Sequence, residues 1–319
     1  MRKSFILLGL SGLLLAGAAA AQGNLPYWAY PVPKPAPGAA PKPDNTVLKT
    51  LPGAKKRFTE AGVNDRFNVP DWYPADHPAA PQIVLHGRKP NVFACGYCHL
   101  PNGQGRPENA SLAGQPADYI VSQVADMREG KRKSSTDKMG SINGMMGIAK
   151  ASNDAEVRIA ANYFSRLKFH KWIRVVETDT VPKTEISSHN MLVAAKGGRE
   201  PIGKRIIEVP ENLDRIELRD PRTGFIAYVP KGAVARGKKL VESGAGAFPC
   251  AACHGPKYQG NGAVPALAGR SPSELVRQLY DFKSGTRDGA GAAMMKPEVA
   301  NMTDNMRLDI AAYLSSLEP

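Results

Sequence analysis

Cys95-Gly96-Tyr97-Cys98-His99 decides how this chain is read, and the pattern occurs twice: Cys250-Ala251-Ala252-Cys253-His254 repeats it 155 residues on. Two thiols with a two-residue spacer stand about one helical turn apart, with a histidine directly after them. This is the pattern at which a haem is attached covalently. Read so, Cys95, Cys98, Cys250 and Cys253 form thioether bonds to two covalently bound haem c groups, and His99 and His254 face the irons as axial ligands. These four are all the cysteines of the chain, so none is left for a lipid anchor or a catalytic thiol.

Other readings of C-x-x-C compete. A thioredoxin-like redox motif needs one such pair beside a βαβ pattern, and leaves the histidine incidental. A four-cysteine zinc site needs the two pairs brought together across 155 residues, far outside usual zinc spacings. Disulfides within each pair suit an exported protein. The haem reading is favoured because both pairs carry the histidine and because matching residues follow each at matching distances.

At the offset of 155, Leu112-Ala113-Gly114-Gln115 falls on Leu267-Ala268-Gly269-Arg270, Gln123 on Gln278, Asp126 on Asp281, Gly130 on Gly285 and Arg132 on Arg287. Beyond that the second copy is five residues shorter, so Met145 falls on Met295, Tyr163 on Tyr313 and Leu167 on Leu317. Two tandem copies of one small domain explain this register. Within each copy apolar residues recur at helical spacing, at Tyr119, Ile120, Val124 and Met127 and again at Leu275, Val276, Leu279 and Phe282. The last helix of each copy is amphipathic through Val157, Ala160, Ala161 and Phe164, and through Leu308, Ala311, Ala312 and Leu317.

On these residues the chain resembles class I c-type cytochromes, and within them the dihaem kind with two fused domains (cytochrome c4-like). The resemblance rests on both C-x-x-C-H runs, Leu112-Ala113-Gly114-Gln115, the Gln123 and Gln278 helices, the methionines and the terminal helices ending near Tyr163 and Tyr313. It implies a methionine sulfur opposite each histidine, on a loop before the last helix. Met139, Met145, Met146, Met294 and Met295 are available. Only one register puts a methionine in both copies, 18 residues before Tyr163 and before Tyr313, which selects Met145 and Met295 as metal ligands. His77, His86, His170 and His189 are read as ordinary core or surface histidines.

The fold class expected is mainly α, two tandem class I cytochrome c domains joined by a small β-rich insert. Residues 1–21 read as a signal peptide, with Arg2 and Lys3 before the apolar run Phe5 to Leu15 and Ala19-Ala20-Ala21 as the cleavage signal. Residues 22–82 are a proline-rich arm and N-terminal extension, with seven prolines from Pro26 to Pro43, a short helix capped by Thr59 and running through Phe67, and enough aromatic residues after 46 to pack on the first domain. Residues 83–168 form cytochrome domain 1, 169–230 the insert and 231–319 domain 2. In the insert, Trp172 to Thr178, Arg205 to Val209, Arg215 to Leu218 and Phe225 to Val229 read as strands, 185–203 as loop, and Asp220-Pro221-Arg222-Thr223-Gly224 as a hairpin turn. Gly103-Gln104-Gly105 lacks the strand-then-helix setting of a phosphate loop and reads as a loop at the haem edge. Arg128 to Arg132 reads as a solvated helix end.

The functional expectation is one-electron transfer in the periplasm, with no catalytic residues. Redox proteins are expected as donor and acceptor, and the formal charge of +13 favours acidic ones. Nucleic acid is not expected, because no basic run coincides with an aromatic cluster, nor is a transmembrane anchor in the mature chain, because the apolar run is too short to span. A dihaem peroxidase-like enzyme and the cytochrome subunit of an exported dehydrogenase are the alternatives.

Overall fold

The computed structural model describes residues 25–34 and 43–319. The expected signal peptide and the middle of the proline-rich arm lie outside the described residues. Helices take 36% of the chain and strands 15%, so the protein is mainly helical.

A short helix α1 (Glu60–Val63) opens the extension, with Thr59 Oγ1 accepting from the Gly62 N–H, and it stops four residues before the Phe67 end that the sequence suggested. Then follow α2 (Gln82–Leu85), α3 (Cys95–His99), α4 (Ala117–Arg128), α5 (Gly140–Ala151) and α6 (Asp154–Ser165). Helix α6 starts at a reciprocal capping box: the Asn153 side chain accepts from the Glu156 N–H, and Glu156 accepts from the Asn153 N–H. Ile120, Val124, Met127, Val157, Ala160, Ala161 and Phe164 are all buried, so the apolar faces of α4 and α6 meet as their spacing requires.

Five strands come next: β1 (Ile173–Thr178), β2 (Thr180–Ile186), β3 (Leu192–Pro201) and β4 (Ile207–Pro210), then helix α7 (Leu213–Glu217) and strand β5 (Phe225–Pro230). Strand β5 lies between β1, parallel to it, and β4, antiparallel to it. Strands β2 and β3 form a separate antiparallel pair. Three expectations change here. Arg215 to Leu218 is not a strand, because the Asn212 side chain accepts from the Arg215 N–H and caps α7 instead. Residues 192–201 are strand rather than loop, because Val181, Leu192 and Val193 bury an apolar face despite the glycines that follow. Asp220 to Gly224 is a turn, with Asp220 accepting from the Arg222 N–H, but it joins a helix to a strand rather than two hairpin strands.

The last group is α8 (Ala233–Ser243), α9 (Ala251–His254), α10 (Pro272–Lys283), α11 (Ala292–Val299) and α12 (Asp304–Ser316). Helices α8 and α12 cross so closely that a Cβ at Gly237 would sit 1.9 Å from the Asp309 carbonyl oxygen. The extension meets the first domain, as expected, where the Arg66 carbonyl accepts from the Ala94 N–H just before Cys95; it also meets the insert, where Trp72 donates its indole N–H to the Leu218 carbonyl. Part of the arm is also fixed. Ala29 and Tyr30 are buried, and Tyr30 donates to the Arg277 carbonyl and the Asp281 carboxylate on α10.

Candidate haem-attachment sites

Both C-x-x-C-H runs form short helices, α3 and α9, followed by the same turn. Leu100 (φ 62°) and Gly255 (φ 83°) take the left-handed region directly after the histidines. The Arg106–Asn109 turn of the first copy reappears as Asn261–Val264 in the second. That turn carries a carbonyl back onto the histidine. His99 Nδ1 lies 2.7 Å from the Ala110 oxygen, and His254 Nδ1 lies 2.8 Å from the Pro265 oxygen, each eleven residues on. A carbonyl can only accept, so Nδ1 carries the proton in both rings and Nε2 keeps its lone pair. Burial holds both imidazoles below the ordinary histidine range, which keeps them neutral. A neutral histidine oriented by a backbone carbonyl is how a protein presents nitrogen to a metal.

The thiols are equally informative. Burial pushes Cys95 up to about 12 and Cys250 up to about 11. A thioredoxin-type pair needs a lowered thiol pKa, so that reading loses its chemistry. All four cysteines are free, and among the described residues no group of three or more His, Cys, Asp or Glu side chains could hold a metal ion. The two pairs therefore do not assemble a zinc site.

In the first copy the donor set converges on one cavity of about 410 Å³. Cys95, Cys98, His99 and Met145 line it, with Ile120, Val124, Met127 and Phe164 as apolar wall. Met139, buried at 2%, lines it as well; Met145 and Met146 both pack with Val124, Met127, Ala149 and Val157, but Met146 is not among the lining residues. In the second copy Met295 is half-buried against the core while Met294 is 65% exposed. Met145, Met146, Met294 and Met295 stand on helices α5 and α11, not on loops, and Met139 is the N-cap of α5. Locally this follows from Ile142, Met145, Met146 and Ala149, whose i, i+3, i+4, i+7 spacing lays α5 against α4. The residues fit a covalently held haem: two thiols, a neutral histidine and a thioether sulfur around an apolar hollow.

The other histidines are placed elsewhere. His77 hydrogen-bonds the Asp71 carboxylate (3.3 Å) and the Tyr163 hydroxyl (3.0 Å), and the His170 carbonyl accepts from Gln104. The loop Gly103 to Glu108 is buried. Sequence reading missed Arg132 and Arg287. Arg132 is not on a solvated helix end: it lines the first cavity and hydrogen-bonds Gln123 and Gln278, while Arg287 bonds Gln278, Tyr119 and Gln123. Their identical position in the repeat was the available signal.

The family model for Cytochrome c matches residues 234–318. The chain is 40% identical over 70 residues to cytochrome c-554(548) of Halomonas halodenitrificans, covering 22% of this chain and 84% of the relative. It is 26% identical over 228 residues to cytochrome c4 of Azotobacter vinelandii, covering 70% and 83%. It is 26% identical over 250 residues to a thiosulfate dehydrogenase electron acceptor of Thiomonas intermedia, covering 76% and 83%. Among the described residues no helix is long and apolar enough to cross a membrane.

Proposed function

The chain belongs to the c-type cytochromes and is of the cytochrome c4 kind, an electron-transfer protein with covalently bound haem c; from that premise we propose that it carries two haems in tandem class I domains joined by a small β-rich insert, and passes single electrons between periplasmic redox proteins. The observation that carries this reading is the repeated hydrogen bond from His99 to Ala110 and from His254 to Pro265. It prepares both imidazoles in the same way, so both copies are equipped to ligate.

Cys95 and Cys98 would hold the first haem and Cys250 and Cys253 the second, with His99 and Met145 supplying the ligands of the first iron and His254 and Met295 those of the second. Bound haem supplies a one-electron iron couple, and histidine–methionine ligation sets it toward higher potential. The protein's own part is to keep each Nδ1 protonated, each thioether permanent and the surroundings apolar, so little rearranges when charge changes. This suits a carrier rather than an enzyme, since a methionine ligand in each copy would leave peroxide no place to bind. A second reading keeps the same chemistry. The Thiomonas intermedia relative is named as the electron acceptor of a dehydrogenase, and this chain fits that role too, with an exported oxidoreductase as donor.

A pyridine haemochrome assay with mass spectrometry of the exported chain tests the reading. Two haems per chain are expected, and one or none overturns it. Copurification of an oxidoreductase separates the dedicated acceptor from a free carrier.

A further inference from the structure

The repeat gives each residue of one attachment edge a counterpart in the other, and the two edges are covered very differently. In the first copy Val92, Ala94, Gly96 and the whole run Gly103 to Glu108 are buried. Three other parts of the chain cover them. From the extension, Phe67 packs edge-on to Phe93 at 5.4 Å and the Arg66 guanidinium lies 4.8 Å from the centre of the same ring. From the insert, Arg219 stacks on Tyr97 at 3.8 Å and donates to its carbonyl. From α10, Arg277 donates to the Pro107 carbonyl.

In the second copy the counterpart of Phe93 is Phe248, and it is 63% exposed. Ala247, Pro249 and Ala252 around it are exposed, as are Gln259, Asn261, Gly262 and Ala263 of the counterpart loop. Glu298 on α11 accepts from the Ala247 and Phe248 N–H groups at 3.0 and 3.2 Å. Met294, 65% exposed, stands one turn before Glu298 on the same helix face. Glu298 thus ties the Phe248 segment, just before Cys250, to the helix whose exposed face carries Met294. Nearby acids are already engaged: Glu298 with backbone, Glu242 with Lys238, Asp288 with Lys296. Lys239 and Lys257 are exposed and have no ion-pair partner among the described residues.

We propose that redox partners dock at the second copy alone. Phe248 and Met294 are the apolar centre of the face and Lys239 and Lys257 its cationic rim. The partner is a small redox protein whose own face is apolar with carboxylates around it. The first copy's edge is closed by the chain's own Arg66, Phe67, Arg219 and Arg277, so its electrons come and go through the second. Transfer moves one electron: the partner loses it, this protein gains it, and no atom or proton changes hands. An exposed aromatic with a neighbouring methionine is the composition of an interface centre rather than of an ordinary surface. This inference rests on the electron-carrier reading.

The test uses the haem-loaded full chain and an acidic flavodoxin as probe. Haem content is measured first on every preparation, so that failure of the haem reading shows there and nowhere else. Phe248→Glu and Met294→Glu place carboxylates in the patch. Val47→Glu and Leu48→Glu do the same on the extension, where both residues are exposed (56% and 58%). Reduction by reduced flavodoxin slows about tenfold in the first pair and changes less than about twofold in the second. With oxidised flavodoxin, where no electron moves, the Met294 methyl resonance shifts on binding in wild type and not in Phe248→Glu. Wild-type rates in the Phe248 and Met294 variants, or a wild-type Met294 methyl shift in Phe248→Glu, with two haems present, overturn the proposal. So does equal slowing in the Val47 and Leu48 variants.

Discussion

Arg132 and Arg287 occupy the same place in the two copies, and they pair with each other across an isolated antiparallel bridge. A residue that meets its own repeat counterpart lies on a two-fold relation between the copies. Around this point Arg132 donates to Gln123 and Gln278, Arg287 donates to the same two glutamines, and the Lys133 N–H donates to the Thr286 carbonyl. Two guanidinium groups held together are costly. Burial, and then the neighbouring Arg287, hold Arg132 down to about 10. Such an arrangement favours negative charge in the adjoining cavity.

Arg132→Gln should lower the reduction potential of the first haem. A fixed positive charge at the cavity wall disfavours the ferric state, so its removal stabilises that state. Potentiometric titration of wild type and variant decides this; an unchanged or raised potential counts against Arg132 acting through charge.

Met145→Ala and Met295→Ala should each lower one potential and open one site to carbon monoxide, leaving the other haem nearly unchanged. Met146→Ala and Met294→Ala should keep both near-infrared methionine–iron bands. Met139 lines the same cavity as Met145, so Met139→Ala belongs in the set. If it alone abolishes the first band, the repeat register has named the wrong sulfur.

Electron exchange with an acidic partner should slow as salt rises, because the Debye length falls from about 10 Å at 0.1 M to about 3 Å at 1 M. A second-order rate that stays flat across that range removes electrostatic steering from the account.

Glu208 makes stability depend on pH. It sits on β4 and accepts from the Ser271 and Ser273 hydroxyls and the Ser273 N–H, yet burial dominates and raises its carboxyl from 4.5 to about 7. A raised pKa in the folded state means the folded protein holds the proton more tightly. Its contribution is therefore complete below about 4.5 and is lost as pH rises to about 7. The loss is roughly 3 kcal/mol. Glu208→Gln should lack this dependence in denaturant titrations between pH 4.5 and 7, a window set by the same shift. A wild-type slope in the variant would assign the dependence to other groups.

Gly237→Ala should destabilise by about 1–3 kcal/mol. The added Cβ meets the Asp309 carbonyl at 1.9 Å and the Tyr313 Cβ at 2.8 Å, so α8 and α12 must separate. Thermal unfolding at unchanged haem content measures the loss; an unaltered midpoint would show that the crossing yields freely.

What the sequence determined by itself is what short-range chemistry encodes. The C-x-x-C-H runs, the Thr59 cap, and the apolar faces of α4, α6, α10 and α12 are local patterns, and each formed where its pattern placed it. The repeat puts Met145 and Met295 at the same position in the two copies, because equal spacing survives duplication. Periodicity failed where a cap or a partner outweighed it, as at α7, set by Asn212, and at β3, held by β2. Only the tertiary structure decided which attachment edge is bare. Phe93 and Phe248 hold the same place in the repeat, and what distinguishes the two edges is Arg66 and Phe67 against Phe93 and Arg219 against Tyr97, brought over the first by the extension and the insert. It also decided that Arg132 faces Arg287. That contact depends on how two folded units meet, and long-range packing of this kind leaves no period in the chain.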